Sequence, residues 1–149
     1  MIRSGGPDDV ETLTSLEREA FGADAWSRDQ VADEVAGRSR HVVVAEDDAG
    51  VVGYASLMVA GETADVARIA VVRRARRRGV GRQMLAALLD ESVRRGADRV
   101  LLEVASDNAP AIACYEAVGF DAIATRRHYY RSGADAVVME RVVATRRDD

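Results

Sequence analysis

Residues 69–81 read IAVVRRARRRGVG, and the rest of the chain is organised around them. An apolar run over residues 66–72 is typical of a buried strand. Five arginines follow it, and Gly79-Val80-Gly81 then leads into a long helical pattern. The first N–H groups of a helix lack partners inside the helix, and the helix dipole places about half a positive charge there. Because glycine also lets the backbone approach closely, this arrangement predicts a site for a phosphate anion such as pyrophosphate.

Two common phosphate-binding motifs are excluded by the residues of this loop. No Gly-Lys-Ser/Thr occurs, which rules out the nucleotide loop that contains a lysine. A dinucleotide fingerprint requires three glycines and an acidic residue about 20 residues further on, whereas this loop has only two glycines. The pattern that remains is Arg76-x-x-Gly79-x-Gly81 after a β-strand.

This pattern resembles the acetyl-CoA pyrophosphate loop of the GNAT acetyltransferases. Further segments follow in that family's order and spacing: Leu102-Glu103-Val104, Ser106-Asp107-Asn108, Ala111-Ile112-Ala113, Tyr115-Glu116 and Gly119-Phe120. Residues 126–130, RRHYY, resemble the Arg-Arg-x-Tyr-Tyr of one subfamily, the RimI-type ribosomal-protein-alanine N-acetyltransferases. The close resemblance covers residues 69–140, and the first third of the chain matches only in general pattern.

The composition sets outer limits on the kind of protein. A length of 149 residues suits one domain with a full core, so we expect residues 1–149 to form a single GNAT domain. No apolar run reaches the roughly 20 residues of a membrane span, and the N-terminus lacks the apolar core of a signal peptide. We therefore expect a cytoplasmic protein with no membrane partner. The only cysteine, Cys114, excludes an internal disulfide and fits a reducing compartment.

Charge argues against nucleic acid as a partner and for a phosphate-rich ligand. The formal net charge is −4, which does not favour general nucleic-acid binding. Six arginines nevertheless crowd into residues 73–82. Some of them lie in a solvated loop, and the others predict a local positive funnel. With two histidines and one cysteine, the chain has too few His and Cys ligands for a zinc site, and we expect no metal.

Hydrophobic periodicity, caps and turn residues together predict the order of the elements. In chain order we expect an edge strand over 1–4, helices over 8–20 and 27–37, strands over 41–45, 51–60 and 64–72, a helix ending at 94–96, a strand over 99–104, a short helix over 108–119, and strands over 120–125 and 136–143. The β-α-β unit over 64–104 implies parallel strands joined by a right-handed crossover. The fold class is α/β, a mixed central sheet flanked by helices on both faces, and the resemblance implies the GNAT acyl-CoA N-acyltransferase fold.

Glu103 is the candidate general base. It interrupts the apolar strand Val100-Leu101-Leu102-Glu103-Val104 at the end nearest the anion loop, where we expect a mostly apolar setting. The position alone favours a strand-edge glutamate that faces water, whereas the resemblance implies the proton acceptor of the RimI-type family. An N-terminal acceptor needs only a modest base, because an α-amine with a pKa near 7.7–8.0 is roughly one-tenth neutral near pH 7.

Tyr115 is the candidate acid, because the departing CoA thiolate needs a proton or a hydrogen bond and a phenol can supply either. The alternative is an aromatic side chain that packs its helix on the sheet; the resemblance implies a tyrosine that points at the thioester sulfur. Cys114 next to it suggests a covalent acetyl-enzyme. We reject that mechanism because no histidine is placed to serve the thiol and a helical cysteine is usually a small packed hydrophobe.

The resemblance also implies the co-substrate contacts. The strand would pair its backbone with the pantetheine amides, the loop backbone would hold the pyrophosphate, and Asn108 would hydrogen-bond the CoA arm; a plain helix cap is the alternative for Asn108, and the two roles are compatible. The implied contacts with acetyl-CoA are Ile69, Ala70, Val71, Arg76, Arg77, Arg78, Gly79, Val80, Gly81, Arg82 and Asn108.

The acceptor side is implied by two aromatic segments. Residues 21–26 resemble the Phe-Pro-Trp segment that borders the acceptor site in the RimI type, with Ala25 in place of the proline. Tyr129 and Tyr130 resemble a pair that lines the acceptor peptide groove in related enzymes. Trp26 as a core anchor and the tyrosines as hairpin packing are the alternatives.

The resemblance therefore implies acetyl transfer from acetyl-CoA to an N-terminal α-amine, by direct attack in a ternary complex. The implied acceptor is the N-terminal alanine of a small-subunit ribosomal protein, and the implied assembly is a monomer or weak dimer. Two alternatives stay open at this point. One is an acetyltransferase for lysine side chains or small-molecule amines, and the other is a non-catalytic CoA-binding sensor.

Overall fold

A seven-stranded mixed sheet forms the centre of the molecule, whose computed structural model describes residues 1–143. The strands are β1 (Ile2–Ser4), β2 (Arg40–Asp47), β3 (Gly50–Ala60), β4 (Thr63–Val71), β5 (Arg99–Ala105), β6 (Asp121–Arg126) and β7 (Ala136–Val142). Their order across the sheet is β1-β2-β3-β4-β5-β7-β6, with β4 and β5 parallel and the other neighbours antiparallel. The predicted mixed sheet, its parallel pair and its N-terminal edge strand are confirmed.

The described chain contains four α-helices: α1 (Val10–Phe21), α2 (Arg28–Ala36), α3 (Val80–Arg94) and α4 (Ala109–Ala117). The capping box predicted at α2 is present, because the Gln30 N–H donates to Ser27 Oγ at 3.2 Å and the Ser27 N–H donates to Gln30 Oε1 at 2.8 Å. Helix α1 begins two residues later than predicted, because Pro7–Asp9 form a 3-10 turn. Similar short turns occupy Gly22–Asp24 and Arg73–Ala75.

Both faces of the sheet are covered by helices, as alternation along β3 shows. Successive strand residues point to opposite faces. The Tyr54 and Ser56 hydroxyls donate to Glu17 of α1 and Glu34 of α2. The residues of β3 that alternate with Tyr54 and Ser56 face α3. At Gly53, for example, an added Cβ would lie 3.1 Å from Cε of Met84. The helices on either side therefore bury a core on each face of the sheet.

The two parallel strands at the centre separate before they end. Strands β4 and β5 pair only from Thr63↔Arg99 to Asp65↔Leu101, whereas β4 stays paired with β3 and β5 with β7 beyond that point. On the β3 side, a register shift leaves Ala67 as a bulge residue in β4. The sequence did not predict this separation, which opens a gap at the carboxyl ends of the parallel strands.

Candidate active site

Three adjoining cavities follow the gap between β4 and β5. The loop cavity, of about 550 Å³, is lined by Ile69, Val71, Ala75, Arg76, Arg77, Gly79, Val80, Gly81, Arg82, Pro110, Ala111, Cys114 and Tyr115. The central cavity, of about 450 Å³, is lined by Phe21, Asp24, Val66, Ala67, Arg68, Ile69, Leu102, Glu103, Val104, Ala105, Asn108, Tyr115 and Tyr130. The tyrosine cavity, of about 470 Å³, is lined by Asp65, Val66, Ala67, Arg68, Leu101, Leu102, Glu103, Arg126, Tyr129, Tyr130 and Val138. Because neighbouring cavities share lining residues, the three form one continuous cleft.

The loop cavity has the geometry of an anion site. Gly79 adopts φ 80° and caps the N-terminus of α3, and Arg77 adopts φ 65°, so the backbone turns sharply just before the helix. Gly81 lies in the first turn of α3, and a Cβ added there would meet nothing within 4 Å. The unpartnered N–H groups of this turn, the positive end of the helix dipole and the neighbouring guanidinium groups suit a pyrophosphate.

The arginines of the loop divide into different roles. Arg76, Arg77 and Arg82 line the loop cavity, whereas Arg78 is exposed and lies outside its lining. The Arg74 guanidinium is paired with the Asp47 carboxylate at 2.9 Å. The Arg76 Nε–H donates to the carbonyl oxygen of Val71 at 3.1 Å, which ties the loop back to the end of β4.

The open edge of β4 suits an extended ligand that carries amides. Within residues 1–143, no strand pairs with β4 on its β5 side beyond Asp65. Every second backbone amide and carbonyl from there to Val71 therefore faces the gap. The side chains of Ile69 and Val71 line the loop cavity, while Ala70 between them is buried in the core, which leaves its backbone as the part able to contact a ligand.

Several residues of this cavity were missed by the sequence analysis. Ala75 of the 3-10 turn and three residues of α4 line the loop cavity beside Tyr115: Pro110, Ala111 and Cys114. Small side chains at these positions leave room for the cavity. No local sequence pattern predicts that such room belongs to a functional site. The Cys114 side chain is half-buried at this wall.

Glu103 lies where the central and tyrosine cavities meet. Its side chain is exposed, and its Oε1 lies 3.6 Å from the Arg126 guanidinium. The setting of Glu103 is therefore mixed, because apolar residues line much of the central cavity whereas a guanidinium and solvent lie beside the carboxylate. Its apolar neighbours in the sequence, Leu102 and Val104, point away to the opposite face, where they are buried.

Tyr115 stands at the junction of the loop and central cavities. Its ring packs edge-on against Phe120, with the ring centroids 6.3 Å apart. Burial, with smaller effects from Cys114 and Tyr130, raises the pKa of the Tyr115 phenol to about 12. The phenol is therefore protonated at neutral pH and holds a proton beside the point where the two cavities meet.

Asn108 takes part in the structure in the way its position predicts. Its Oδ1 accepts a hydrogen bond from the Ala111 N–H at 3.3 Å and so caps α4. The same residue lines the central cavity. The cap and an exposed face toward the gap coexist, as expected.

The tyrosine pair lies at the end of the gap away from the loop cavity. The two rings of Tyr129 and Tyr130 meet edge to face, with centroids 5.2 Å apart. Tyr130 lines both the central and the tyrosine cavities, and its pKa is raised, chiefly by burial. Tyr129 lines the tyrosine cavity and is 52% exposed, so it lies at the solvent-exposed end of the three connected cavities.

Trp26 lines none of the three cavities; it is half-buried and packs against the core. The segment predicted to border the acceptor site contributes Phe21 and Asp24, instead of Trp26, to the lining of the central cavity.

Arg68 of β4 is a site residue that the sequence analysis missed. It lines both the central and the tyrosine cavities, and its guanidinium donates to both carboxylate oxygens of Glu17, at 2.9 and 2.7 Å. The only signal in the sequence was an arginine inside a mostly apolar strand. Glu17 lies 51 residues away in the sequence, so no local pattern could identify it as the partner.

The described part of the chain contains no group of three or more His, Cys, Asp or Glu side chains placed to hold a metal ion. Over residues 1–143, none of the helices has both the length and the apolar character needed to cross a membrane.

Comparisons with known proteins extend over nearly the whole chain. The model of the acetyltransferase (GNAT) family matches residues 9–120. N-alpha-acetyltransferase RimI of Mycobacterium tuberculosis is 40% identical over 139 residues, which are 89% of this chain and 86% of that protein. The ribosomal protein bS18-alanine N-acetyltransferase of Salmonella typhimurium is 34% identical over 134 residues, 88% of this chain and 89% of that protein.

A solved structure shows the same architecture. The crystal structure of the ribosomal-protein-S18-alanine N-acetyltransferase from Escherichia coli superposes with a TM-score of 0.91 at 30% sequence identity. The match covers 100% of this chain and 97% of that one, so it includes the first third, where the sequence resemblance is only general.

Proposed function

The chain belongs to the acetyltransferase (GNAT) family, and from this premise we propose that it acetylates the N-terminal α-amine of a protein. The predicted fold, the enzyme class and the co-substrate, acetyl-CoA, are confirmed. The acceptor that we propose is the N-terminal alanine of a small-subunit ribosomal protein, because two similar proteins are named for bS18-alanine acetylation. A ribosomal acceptor implies a cytoplasmic site of action.

One observation carries the proposal. Glu103 and Tyr115 line the same central cavity, which lies between the glycine-containing loop on one side and the tyrosine pair on the other. A donor bound along the loop and β4 would meet an acceptor arriving past Tyr129. The two ionisable side chains then flank the meeting point.

The residues present fit acetyl-CoA, which supplies an acyl group activated as a thioester. The α3 N-terminus would hold the pyrophosphate through its backbone, with the side chains of Arg76, Arg77 and Arg82 nearby. The open edge of β4 at Ile69, Ala70 and Val71 would hydrogen-bond the pantetheine amides. Arg78 is the predicted contact with the weakest support, because it lies outside the cavity lining.

Glu103 would receive the proton that the acceptor ammonium must lose. An α-amine is roughly one-tenth neutral near pH 7, whereas only about one lysine in two thousand is neutral, so a modest base serves an N-terminal acceptor. Because Glu103 is exposed, a single water can carry the proton between amine and carboxylate.

Tyr115 would donate a hydrogen bond to the departing thiolate and keep its own proton. A thiol has an ordinary pKa near 8.5, and the Tyr115 pKa is raised to about 12. Complete transfer of the proton from the phenol to the thiolate would therefore be uphill by about 5 kcal/mol, since each pKa unit corresponds to about 1.4 kcal/mol. A hydrogen bond stabilises the developing charge without that cost.

The groove on the acceptor side favours a chain end. Tyr129 and Tyr130 form a wall along the tyrosine cavity, and Phe21 and Asp24 form the facing part of the central cavity. We propose that the first residues of the acceptor lie between these walls with the amine directed at Glu103. Trp26 would support the wall from behind by its contact with the core.

A peptide panel tests this function. Purified protein is incubated with acetyl-CoA and short peptides that begin with alanine, serine or methionine, each with a free and a blocked N-terminus, and one carrying an internal lysine. We expect turnover that requires a free N-terminus, with alanine preferred. Turnover on blocked peptides would assign the enzyme to lysine side chains. Acetyl-CoA binding without any transfer to the panel would contradict the proposal and favour a small amine or a sensor.

A further inference from the structure

The Arg68 side chain links the connection between α1 and α2, residues 22–27, to the sheet. The Arg68 guanidinium carbon lies 3.7 Å from the ring centroid of Phe21 and 4.7 Å from that of Trp26. Its Nη2 also donates to the carbonyl oxygen of Asp24 at 3.0 Å. A single guanidinium from β4 thus contacts three residues at the end of α1 and in the connection that follows.

A buried carboxylate orients this guanidinium. Glu17 of α1 is 0% exposed, and its oxygens accept both hydrogen bonds from Arg68 and one from the Tyr54 hydroxyl. The Trp26 N–H donates to Glu17 Oε1 at 2.8 Å, so the same carboxylate binds the connection directly. A bidentate pair of this kind fixes the plane of the guanidinium. The orientation of that plane determines how its two faces are directed toward the aromatic rings.

The connection takes its shape without a proline. Ala25 has φ −63°, which is the value a proline ring imposes, but its N–H donates to the carbonyl of Gly22 at 3.1 Å. Asp24 before it lies in a 3-10 turn, a conformation disfavoured before proline. The segment is therefore held by its own 3-10 hydrogen bond together with long-range contacts to Glu17 and Arg68.

We propose that Arg68 is a positioning residue that holds Phe21 and Asp24 in place as the wall of the central cavity and thereby sets the fit of the acceptor. This inference rests on the proposed function. Arg68 lies directly before Ile69, so the same stretch of β4 faces the co-substrate with its backbone and the acceptor wall with this side chain. Loss of the Arg68 contacts would loosen the wall formed by Phe21 and Asp24 and would leave the loop cavity unchanged.

The chain contains a matched control for the test. Glu34 of α2 accepts a hydrogen bond from Ser56, two residues beyond Tyr54 on the same face of β3, and pairs with Arg40 Nε at 3.1 Å. This second buried cluster, Glu34–Ser56–Arg40, has the same make-up as Glu17–Tyr54–Arg68, but none of its residues lines the three cavities. Arg68→Lys and Arg40→Lys therefore each replace a guanidinium beside a buried glutamate, and each keeps the charge that its carboxylate needs; the Arg68 pair is bidentate, whereas the Arg40 pair has one contact.

Trp26 provides a readout that does not depend on activity, because it is the only tryptophan in the chain. We expect the acrylamide quenching constant of Trp26 fluorescence to roughly double in Arg68→Lys, since lysine cannot stack on the ring or bridge Glu17 to Asp24. In Arg40→Lys the quenching constant should equal that of the wild-type protein. Equal quenching constants in Arg68→Lys, Arg40→Lys and the wild-type protein would overturn the proposal that Arg68 holds the connection in place.

The kinetic readout separates positioning from stability. In Arg68→Lys we expect the acceptor KM to rise about tenfold, with kcat and the Kd of acetyl-CoA within about twofold of the original values. Arg40→Lys, and Tyr54→Phe as a second control on the same Glu17 carboxylate, should lower the thermal midpoint without changing the acceptor KM. An unchanged KM in Arg68→Lys, or the same rise in Arg40→Lys, would overturn the proposal. If the unchanged protein acetylates no peptide, the proposed function fails, and the quenching comparison still decides whether Arg68 holds the connection.

Discussion

The Glu103 carboxylate is paired with Arg126 across 3.6 Å, at the boundary between the central and tyrosine cavities. Both side chains are partly exposed to water, so solvent screens the pair and its strength is small. An acceptor ammonium that reaches Glu103 brings a second positive charge to the same carboxylate. In the proposed reaction, Arg126 would therefore compete with the acceptor amine for the Glu103 carboxylate.

Replacing Arg126 by glutamine should strengthen acceptor binding. We expect the acceptor KM to fall about two- to fivefold at low ionic strength and the difference to shrink at high salt, because exposed charges are screened. Arg127→Gln is the matched control, since Arg127 is adjacent and exposed and lines none of the three cavities. A rise in KM for Arg126→Gln would show instead that Arg126 binds the acceptor.

Glu103→Gln should remove the proton acceptor while leaving the co-substrate site intact. We expect kcat/KM for the acceptor to fall by about 10²–10⁴, the usual contribution of a general base, and the loss to be largest at low pH, where the amine is mostly protonated. The Kd of acetyl-CoA should change less than about twofold. Steady-state rates from pH 6 to 9 would measure this, with Glu116→Gln on exposed α4 as the control. An unchanged pH profile would remove Glu103 from this role.

Tyr115→Phe should slow turnover without unfolding the protein. The ring contact with Phe120 is retained, whereas the hydrogen bond to the thiolate is lost, so we expect kcat to fall about 10- to 100-fold. The measurement is kcat at saturating acetyl-CoA together with a thermal unfolding curve. Turnover at the original rate would assign Tyr115 to packing alone.

The free energy of unfolding should decrease above about pH 10. The pKa of Tyr115 is raised to about 12 and that of Tyr54 is also raised, both chiefly by burial, so the folded protein keeps phenol protons that the unfolded chain releases. This contribution is fully present below the unfolded pKa near 10 and is lost as the pH rises through the folded value. For Tyr115 it amounts to roughly 2–3 kcal/mol by pH 12.

Urea unfolding at pH 8, 10 and 11 measures this dependence. The chain contains no lysine and its arginines keep their charge in this range, so lysine titration does not interfere. Tyr115→Phe should show a shallower decrease than the original protein. An identical slope in the two proteins would contradict the raised pKa.

Gly81→Ala should stabilise the protein and weaken its binding of acetyl-CoA. Gly81 lies in a helix and a Cβ there meets no atom within 4 Å, so alanine should raise the free energy of unfolding by about 0.5–1 kcal/mol. If the pyrophosphate approaches this backbone, the same Cβ obstructs it, and the Kd should rise about tenfold or more. Gly79→Ala is the contrast, because φ 80° makes alanine destabilising there. Unchanged affinity in Gly81→Ala would place the pyrophosphate elsewhere.

The sequence predicted those parts of the fold and site that local patterns specify. The turn at Gly79, the capping box at Ser27 and the βαβ crossover each depend on residues close in the chain, and each is present. The exposure of Glu103 agrees with what its strand position alone favoured, whereas its pairing with Arg126 was not predictable, because it depends on how distant strands are placed in the sheet. The Arg68–Glu17 pair was missed for the same reason, since it joins β4 to α1 across a distance in the sequence that no periodicity spans.

The three residue pairs that join β4 to β5, from Thr63↔Arg99 to Asp65↔Leu101, divide the sheet into two halves with a short common border. Glu103 belongs to one half, and Arg68 with the wall that it holds belongs to the other. A thioester arm that lies along the free edge of β4 occupies the space between the halves and limits how far they can move relative to each other. If the donor binds there as proposed, we expect the width of the acceptor groove to be defined only after it has bound, and the reaction to follow a compulsory order, with acetyl-CoA entering before the amine.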